Sequence, residues 1–472
     1  MKKLSYILKV SLLSSTMLIA TPAYAGGDDG DTGIEDRVKH LEALMEKILA
    51  RMEKQDARLQ AGEIKVLQET KRMIGEQKTA LAVQAKRVAK VEKMSAGGVA
   101  PPTSGNGFNI GETTFKFGGY AKLDVLYSKF SDGELASGAS GRDFLIPGQI
   151  PVSATGNDDG ADIDFSARET RFIMKTSTPT PGGKITGHLE MDFVLTGGGN
   201  ERVSNSFSPR LRQAFLTYNG WTFGQAWSTF QNTKVWLDHI DFLGAISGMV
   251  FNRQALARYQ NGGFEFAVET PETTLTALGG SRVVSGDGAL PDVVARYTSS
   301  GSWGHVRVAG IYRQLVAEAG TAGLVAGDTT AGYGVSVSGK LKTTGKDAFS
   351  FQFNAGEGLG RYIGLNLVND AAVTTSGELE AIGLVAGFAS YKHYWSPQWR
   401  SNVTVGFFNA NNPTTFTGTG VTDKSTSIHA NLLYSPAPKL LIGVEYIYAD
   451  RTTANGLKGT LSRVQFSAKL GF

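Results

Sequence analysis

Hydrophobic positions change their period along the chain, and the changes divide it. From Thr113 onward the period is two. Phe115, Phe117, Gly119, Ala121, Leu123, Val125 and Tyr127 share one side of an extended segment, while Lys116, Tyr120, Lys122, Asp124 and Ser128 share the other. The alternation returns at 184–195, where Ile185, Leu189, Met191, Phe193 and Leu195 oppose Lys184, Thr186, His188, Glu190 and Asp192. It returns again with Phe349, Phe351 and Phe353, and with Leu440, Ile442, Val444, Tyr446 and Tyr448. A soluble sandwich also alternates, but it turns its polar side outward on shorter strands. Here one face suits lipid and the other water.

The connections discriminate further. Short turns are expected near 179–183, 219–220, 261–263, 299–302, 344–346, 396–397 and 435–438. Between them lie longer polar or Gly-rich stretches at 130–161, 197–207, 229–252, 271–289, 315–330, 357–378, 411–423 and 449–459. Short and long connections in strict alternation predict an all-β fold, a sixteen-stranded antiparallel transmembrane β-barrel over 113–472, with turns in the periplasm and loops outside. An even strand count puts both barrel ends at the periplasm. The final strand carries Val464, Phe466, Ala468, Leu470 and Phe472 against Arg463, Gln465, Ser467 and Lys469, an ending typical of barrels handled by the outer-membrane assembly machinery.

Upstream, residues 35–93 lack Pro and are rich in good helix formers. Ile34, Val38, Leu41, Met45, Ile48 and Met52 follow a/d spacing, continued on one position by Leu59, Val66 and Met73. A second register, Leu67, Ile74, Leu81 and Val88, takes over near Gly62. One narrow seam on a long helix needs a partner, so 26–94 is expected to be a periplasmic coiled coil that self-associates. A membrane-surface helix is the competing reading, disfavoured by the narrow stripe without Trp or Phe. Residues 95–112, with Pro101-Pro102 and many small residues, form a linker. The first 25 residues have the form of a signal peptide: Lys2 and Lys3, an apolar run from Leu4 to Ala20, and Ala23-Tyr24-Ala25 before the cut.

Composition narrows the chemistry. With no Cys among 472 residues, disulfides, thiolate metal sites and Cys nucleophiles are excluded. The formal net charge is +4, yet residues 94–472 hold 30 basic and 30 acidic side chains, so nucleic-acid binding has no electrostatic warrant. The six His stand apart at 40, 188, 239, 305, 393 and 429, and no metal box or nucleophile elbow accompanies them. An enzyme is not expected, nor is a cofactor.

The loop 229–252 is unusually apolar for an exposed connection, with Trp236, Leu237, Ile240, Phe242, Leu243, Ile246, Met249, Val250 and Phe251. Folded into the barrel it would pack on the wall and leave Asp238, His239 and Asp241 facing the water path; folded outward it would pack on a neighbouring subunit. Strand parity assigns Lys122, Arg168, Arg212, Arg258, Arg296 and Arg307 to the lumen, where rings of basic groups can replace an anion's hydration. Arg171 breaks parity with Arg168, so it needs a bulge to reach the pore and otherwise sits near the periplasmic rim. Asp162, Asp164, Glu190 and Asp192 share lumen parity on adjacent strands and would oppose the basic wall with a transverse field. Metal binding by His188, Glu190 and Asp192 lacks any supporting outer shell.

Taken together and in order, FKFGGYAKLDVLYSKF at 115–130, FSARETRF at 165–172, GWTFGQAWSTF at 220–230, GEGLGRYIG at 356–364 and KHYWSP at 392–397 make the chain resemble the DcaP-like porins of the Gram-negative outer membrane. The resemblance implies a homotrimer of sixteen-stranded barrels in outer-membrane lipid and lipopolysaccharide, each with its own pore. It also implies passage of small anionic solutes, dicarboxylates among them. An alternative is a structural role in which the coiled coil tethers the barrel to the cell wall and transport is secondary. For the leader, mass spectrometry of protein isolated from the outer membrane is expected to find Gly26 as the first residue; a chain retaining 1–25 would contradict the reading.

Overall fold

The computed structural model describes residues 107–472 except 157–159, 196, 198, 200–201, 237, 287 and 325–326, together with 39–40, 42–51, 53–54, 57, 68–69, 71–73, 75–76, 78–79 and 82, apart from Met52. The expected leader, residues 95–106 of the expected linker, and Leu237 lie outside the described residues. The chain divides into two units, 1–98 and 99–472. In the first, the described residues are helical. Of the seam positions, Met45, Ile48 and Met73 are described, and all three are exposed.

In the second unit period-two patterning has become strands. The first half of the chain order is β1 (Gly107–Ile110), β2 (Thr113–Phe130), β3 (Asp162–Ser166), β4 (Arg171–Thr180), β5 (Gly183–Asp192), β6 (Arg210–Tyr218), β7 (Trp221–Trp227), β8 (Arg253–Asn261), β9 (Phe264–Glu269), β10 (Thr273–Thr276) and β11 (Arg282–Ser285). The second half is β12 (Asp292–Gly301), β13 (Gly304–Ala317), β14 (Asp328–Lys342), β15 (Ala348–Glu357), β16 (Ala371–Val373), β17 (Leu379–Ala381), β18 (Gly383–Tyr394), β19 (Trp399–Asn411), β20 (Thr422–Tyr434), β21 (Leu440–Thr453) and β22 (Lys458–Gly471).

Both β3 and β4 lie beside β2 and act as one strand broken at 167–170. Each later barrel strand pairs antiparallel with its neighbour, and β22 returns to β2 from Tyr120↔Gly471 to Phe130↔Leu461. The ring is a closed, antiparallel, sixteen-stranded β-barrel. Closure leaves no strand edge, which is the condition for a sheet to stand in hydrocarbon.

Side-chain exposure confirms the two faces. Phe117, Leu123, Tyr127, Phe353, Val444, Tyr446, Val464, Phe466 and Leu470 point outward and are exposed, while Asp124, Ser128, Gln352, Glu445, Gln465 and Ser467 point inward and are buried. At the end of the short turns the outer surface carries Trp221, Tyr259, Phe264, Tyr297, Trp303, Trp395 and Trp399, all exposed. Stacking joins Trp221 to Phe223 and Trp399 to Tyr434. Tyr127, Tyr312 and Tyr333 are exposed nearer the long-loop end. Two aromatic girdles mark the levels of two membrane interfaces.

Two details differ from the sequence reading. Residues 107–110, assigned to the linker, form β1 and pair with Thr113–Lys116. The long loop expected at 449–459 is instead a tight turn at 454–457, closed by Thr453 N–H on the Leu457 carbonyl at 2.9 Å. Its Asn455-Gly456 pair, with Gly456 at φ +84°, is a hairpin-turn signature, so the strands simply continue past the lipid level.

The lumen is heavily filled. Loop 229–252 lies inside the barrel and touches the inner wall on several sides: Asn232 donates to Ser338 at 2.9 Å, Ser247 meets Ser425 at 3.1 Å, and the Ile240 carbonyl accepts from Lys122 at 2.6 Å and Gln465 at 3.0 Å. Val235, Ile246, Met249 and Val250 are buried there. Above, strands β10, β11, β16 and β17 from two other long loops make a separate four-stranded sheet, with a parallel pairing of β10 and β16. Arg313 of β13, fully buried, fastens it by donating to Asp292 at 3.1 Å, Asp370 at 2.6 Å and the backbone carbonyls of Gly358 and Glu272. Val250 bridges Ile363, joining the third loop to the sheet-bearing loop.

Gly248 shows how closely the third loop is seated. A Cβ on it would fall 1.8 Å from the Gly387 carbonyl oxygen of β18, a backbone atom that cannot give way. Gly248→Ala is therefore expected to cost about 1–3 kcal/mol and to lower the temperature at which the folded barrel loses its fast-migrating band in detergent gels; an unchanged transition would contradict the seating.

Candidate functional site

The interior charges fall into distinct groups, each fixed by strand parity and by a loop laid over it. The largest lies where β4, β5, β6 and β8 meet the third loop. On β5, Glu190 and Asp192 point inward, Asp192 fully buried. Arg212 donates to both, at 2.6 Å each; Arg210 grips Asp192 through two nitrogens at 2.9 and 3.0 Å; Arg171 lies 3.2 Å from Glu190. Phe242 covers the group, with the guanidiniums of Arg171, Arg210 and Arg212 at 6.0, 6.0 and 5.3 Å from its ring centre. Arg253, the first residue of β8, stacks over Trp227 at 4.7 Å, and its Nη1 is buried without a hydrogen-bond partner. Three guanidiniums thus share two carboxylates, and Arg253 adds a fourth without an ion pair of its own in the group.

Arg171 reaches the lumen because the chain breaks at 167–170 between β3 and β4, which resets the parity that Arg168 would have imposed. The backbone opposite is tight there: Gly119 sits at φ +147°, and a Cβ on it would lie 2.0 Å from the Arg171 carbonyl oxygen. Arg168 itself belongs to the break, donating to Asp143 at 2.5 Å and lying 4.2 Å from the Phe207 ring. A second group follows around the wall. Arg296 donates to Glu265 at 2.5 Å and to the loop carbonyls of Thr229 and Gln231, Arg258 lies 3.5 Å from Glu265, and Arg307 donates to Thr298 and the Gln231 carbonyl. Two guanidiniums here share Glu265, and Arg307 stands beside them on the Gln231 carbonyl.

The acidic positions do not form an opposing wall. Glu190 and Asp192 are interleaved with the arginines, because cross-strand neighbours on β5 and β6 bring both signs to one patch. Asp162 and Asp164 instead hold Arg142 of the first long loop, at 3.3 and 3.0 Å. Lys122 is also committed: buried, it donates to Glu169 at 2.5 Å and to the Ile240 carbonyl, with Asp124 at 3.1 Å.

Within the loop, Trp236 packs edge-on to Trp227 at 4.8 Å. Asp238 accepts from Arg400 at 2.6 Å, with Lys392 at 3.7 Å. Burial opposes its charge, yet Lys392 and Arg400 outweigh this and hold the carboxyl below its ordinary range. Asp241 corrects the sequence reading. Expected to face the water path, it is buried and accepts backbone N–H groups from Leu145, Leu243 and Gly244 at 3.0 Å, so it shapes the loop. His239 stands between Glu445 of β21, 3.3 Å from Nδ1, and Thr404 of β19, 3.1 Å from Nε2.

Sequence reasoning missed Arg210, Arg253 and Glu445. The parity shared by Arg210 and Arg212 would have found the first, and the polar face of 440–448 the last. Arg253 follows directly on the loop, and nothing local signals its direction.

The family model of the DcaP outer membrane protein matches residues 47–472. Among solved structures, the outer membrane channel DcaP of Acinetobacter baumannii is similar at 21% identity and a TM-score of 0.63, covering 76% of this chain and 97% of that one. The anion-selective porin from Comamonas acidovorans is similar at 12% identity and a TM-score of 0.48, over 76% and 100% of the two chains. OmpT of Vibrio cholerae is similar at 11% and 0.45, over 78% and 100%. Comparison with curated proteins gives no match. A sixteen-stranded closed barrel, a long loop seated within it and a family match over most of the sequence lead to one conclusion: the chain belongs to the DcaP outer membrane protein family.

Proposed function

We propose that this outer-membrane channel passes small anions, dicarboxylates among them, along an arginine-bearing wall narrowed by loop 229–252. The observation that carries this reading is the excess of guanidinium over carboxylate: Arg171, Arg210, Arg212 and Arg253 around Glu190 and Asp192, then Arg258, Arg296 and Arg307 around Glu265. Nearby Glu269 is engaged by Gln254 and the Thr229 N–H. An anion that sheds water must find its hydration replaced, and arginine does this with a fixed fork that stays charged at any relevant pH. Two such groups along one wall suit a solute with two carboxylates. Arg253 adds a guanidinium whose Nη1 no hydrogen bond occupies.

The proposal extends to assembly. Exposed Leu44, Met45, Ile48 and Leu49 on the helical segment support self-association through a periplasmic coiled coil, which agrees with a homotrimer. The outward aromatic and aliphatic surface would meet lipid and lipopolysaccharide.

Two measurements test the channel reading. In planar bilayers under a salt gradient, the reversal potential is expected to show anion selectivity, and cation preference would overturn it. Arg212→Ser combined with Arg253→Ser is expected to weaken block of chloride current by succinate about tenfold, the scale of one lost charge-assisted hydrogen bond; undiminished block would move the binding region elsewhere.

A further inference from the structure

Beneath the third loop, on the side away from the arginines, two imidazoles converge on one carboxylate. His429 of β20 and Glu445 of β21 point into the lumen from adjacent strands and are fully buried; His239 comes down on them from the loop. His429 Nδ1 lies 2.8 Å from Glu445 Oε1, and His239 Nδ1 lies 3.3 Å from the same oxygen. The rings meet edge to face at 5.2 Å. One ligand atom from each residue falls within 4.8 Å of the other two.

We propose that His239, His429 and Glu445 form a binding site for a divalent transition-metal ion, with Zn2+ as its natural probe. The donor set is two nitrogens and one carboxylate oxygen, which suits zinc and its neighbours and does not suit calcium or magnesium, whose shells are built of oxygen. Spacing agrees. Ligands about 2.0–2.2 Å from a tetrahedral zinc stand roughly 3.3 Å from one another; the two nitrogen-to-oxygen separations of 2.8 and 3.3 Å are close to this, and with all three atoms within 4.8 Å side-chain rotations would admit the ion.

An outer shell is already in place. Glu445 Oε2 accepts from the Ile240 N–H at 2.8 Å and from Asn431 at 3.0 Å, which turns Oε1 toward the imidazoles. Thr404 fixes the other nitrogen of His239. Such partners hold metal ligands in orientation. By contrast Nε2 of His429 is buried with no partner, so hydrogen bonding alone does not account for this imidazole's place. A cavity of about 100 Å³ lined by His239, Asp241, Ser390 and Thr404 adjoins the cluster, room for water to complete the coordination. The bound ion would tie loop to wall by coordinate bonds, through groups separate from the arginine patch.

The test is calorimetric titration of Zn2+ into the folded full-length protein in detergent, beside His429→Gln and His239→Asn. Wild type is expected to bind one ion per barrel, weakened more than about tenfold in both variants, and Zn2+ should raise the heat-modification temperature of wild type alone. Should His429→Gln fail to fold, His239→Asn, altered only in the loop, carries the comparison. No binding by wild type overturns the site, and so does binding unchanged in the variants, which would put the ion at His40, His188, His305 or His393. Titration is blind to ion selectivity, so a negative result leaves the anion-channel reading untouched.

Discussion

A backbone amide has no water to turn to in hydrocarbon, and the ring of paired strands from β2 round to β22 answers that constraint. Because the ring must close, every strand presents one face outward and one inward, and successive side chains must suit two solvents. Phe117, Leu123 and Tyr127 are exposed to the outside while Lys122, Asp124 and Ser128 are enclosed on the same strand. The inner face then inherits all the charge that lipid refuses. A side chain there has few neighbours of its own strand to satisfy it, and the interior loops supply the remainder.

That is why the lumen is organised by backbone as much as by side chains. Arg296 and Arg307 donate to loop carbonyls, Asp241 and Glu445 accept loop N–H groups, and Arg313 joins two carboxylates to two carbonyls. A buried guanidinium stripped of such partners would cost several kcal/mol. Arg296 and Arg307 also belong to an arginine group with more cations than anions, and on the proposed function that surplus is what a passing anion would meet. Position along the ring separates them from the His239, His429 and Glu445 cluster, which holds only one acid and is knitted to the opposite part of the wall.

The barrel was largely legible in the amino-acid pattern because its two periods, alternation within strands and alternation of connection lengths, are both local. At 449–459 polar composition points to a long loop, whereas the Asn455-Gly456 pair within it makes a tight turn. Arg171 could not be placed by parity, since the reset at 167–170 depends on how β3 and β4 share β2. Charge partners were harder still. Glu190 and Asp192 looked like an acidic wall when viewed along one strand; only the register between β5 and β6 sets Arg210 and Arg212 against them. Polarity alone points Asp241 to water, whereas N–H groups of its own loop and of Leu145 claim it.

One feature of the third loop bears on the order of assembly. The Ile240 carbonyl accepts from Lys122 on the first long strand and from Gln465 on the last. Those donors come together only where the two ends of the nascent sheet meet. The oxygen thus acts as a keystone: the loop cannot be fully engaged before the seam zips shut, and the seam gains a polar clasp only once the loop has entered, so insertion and closure are coupled steps of biogenesis.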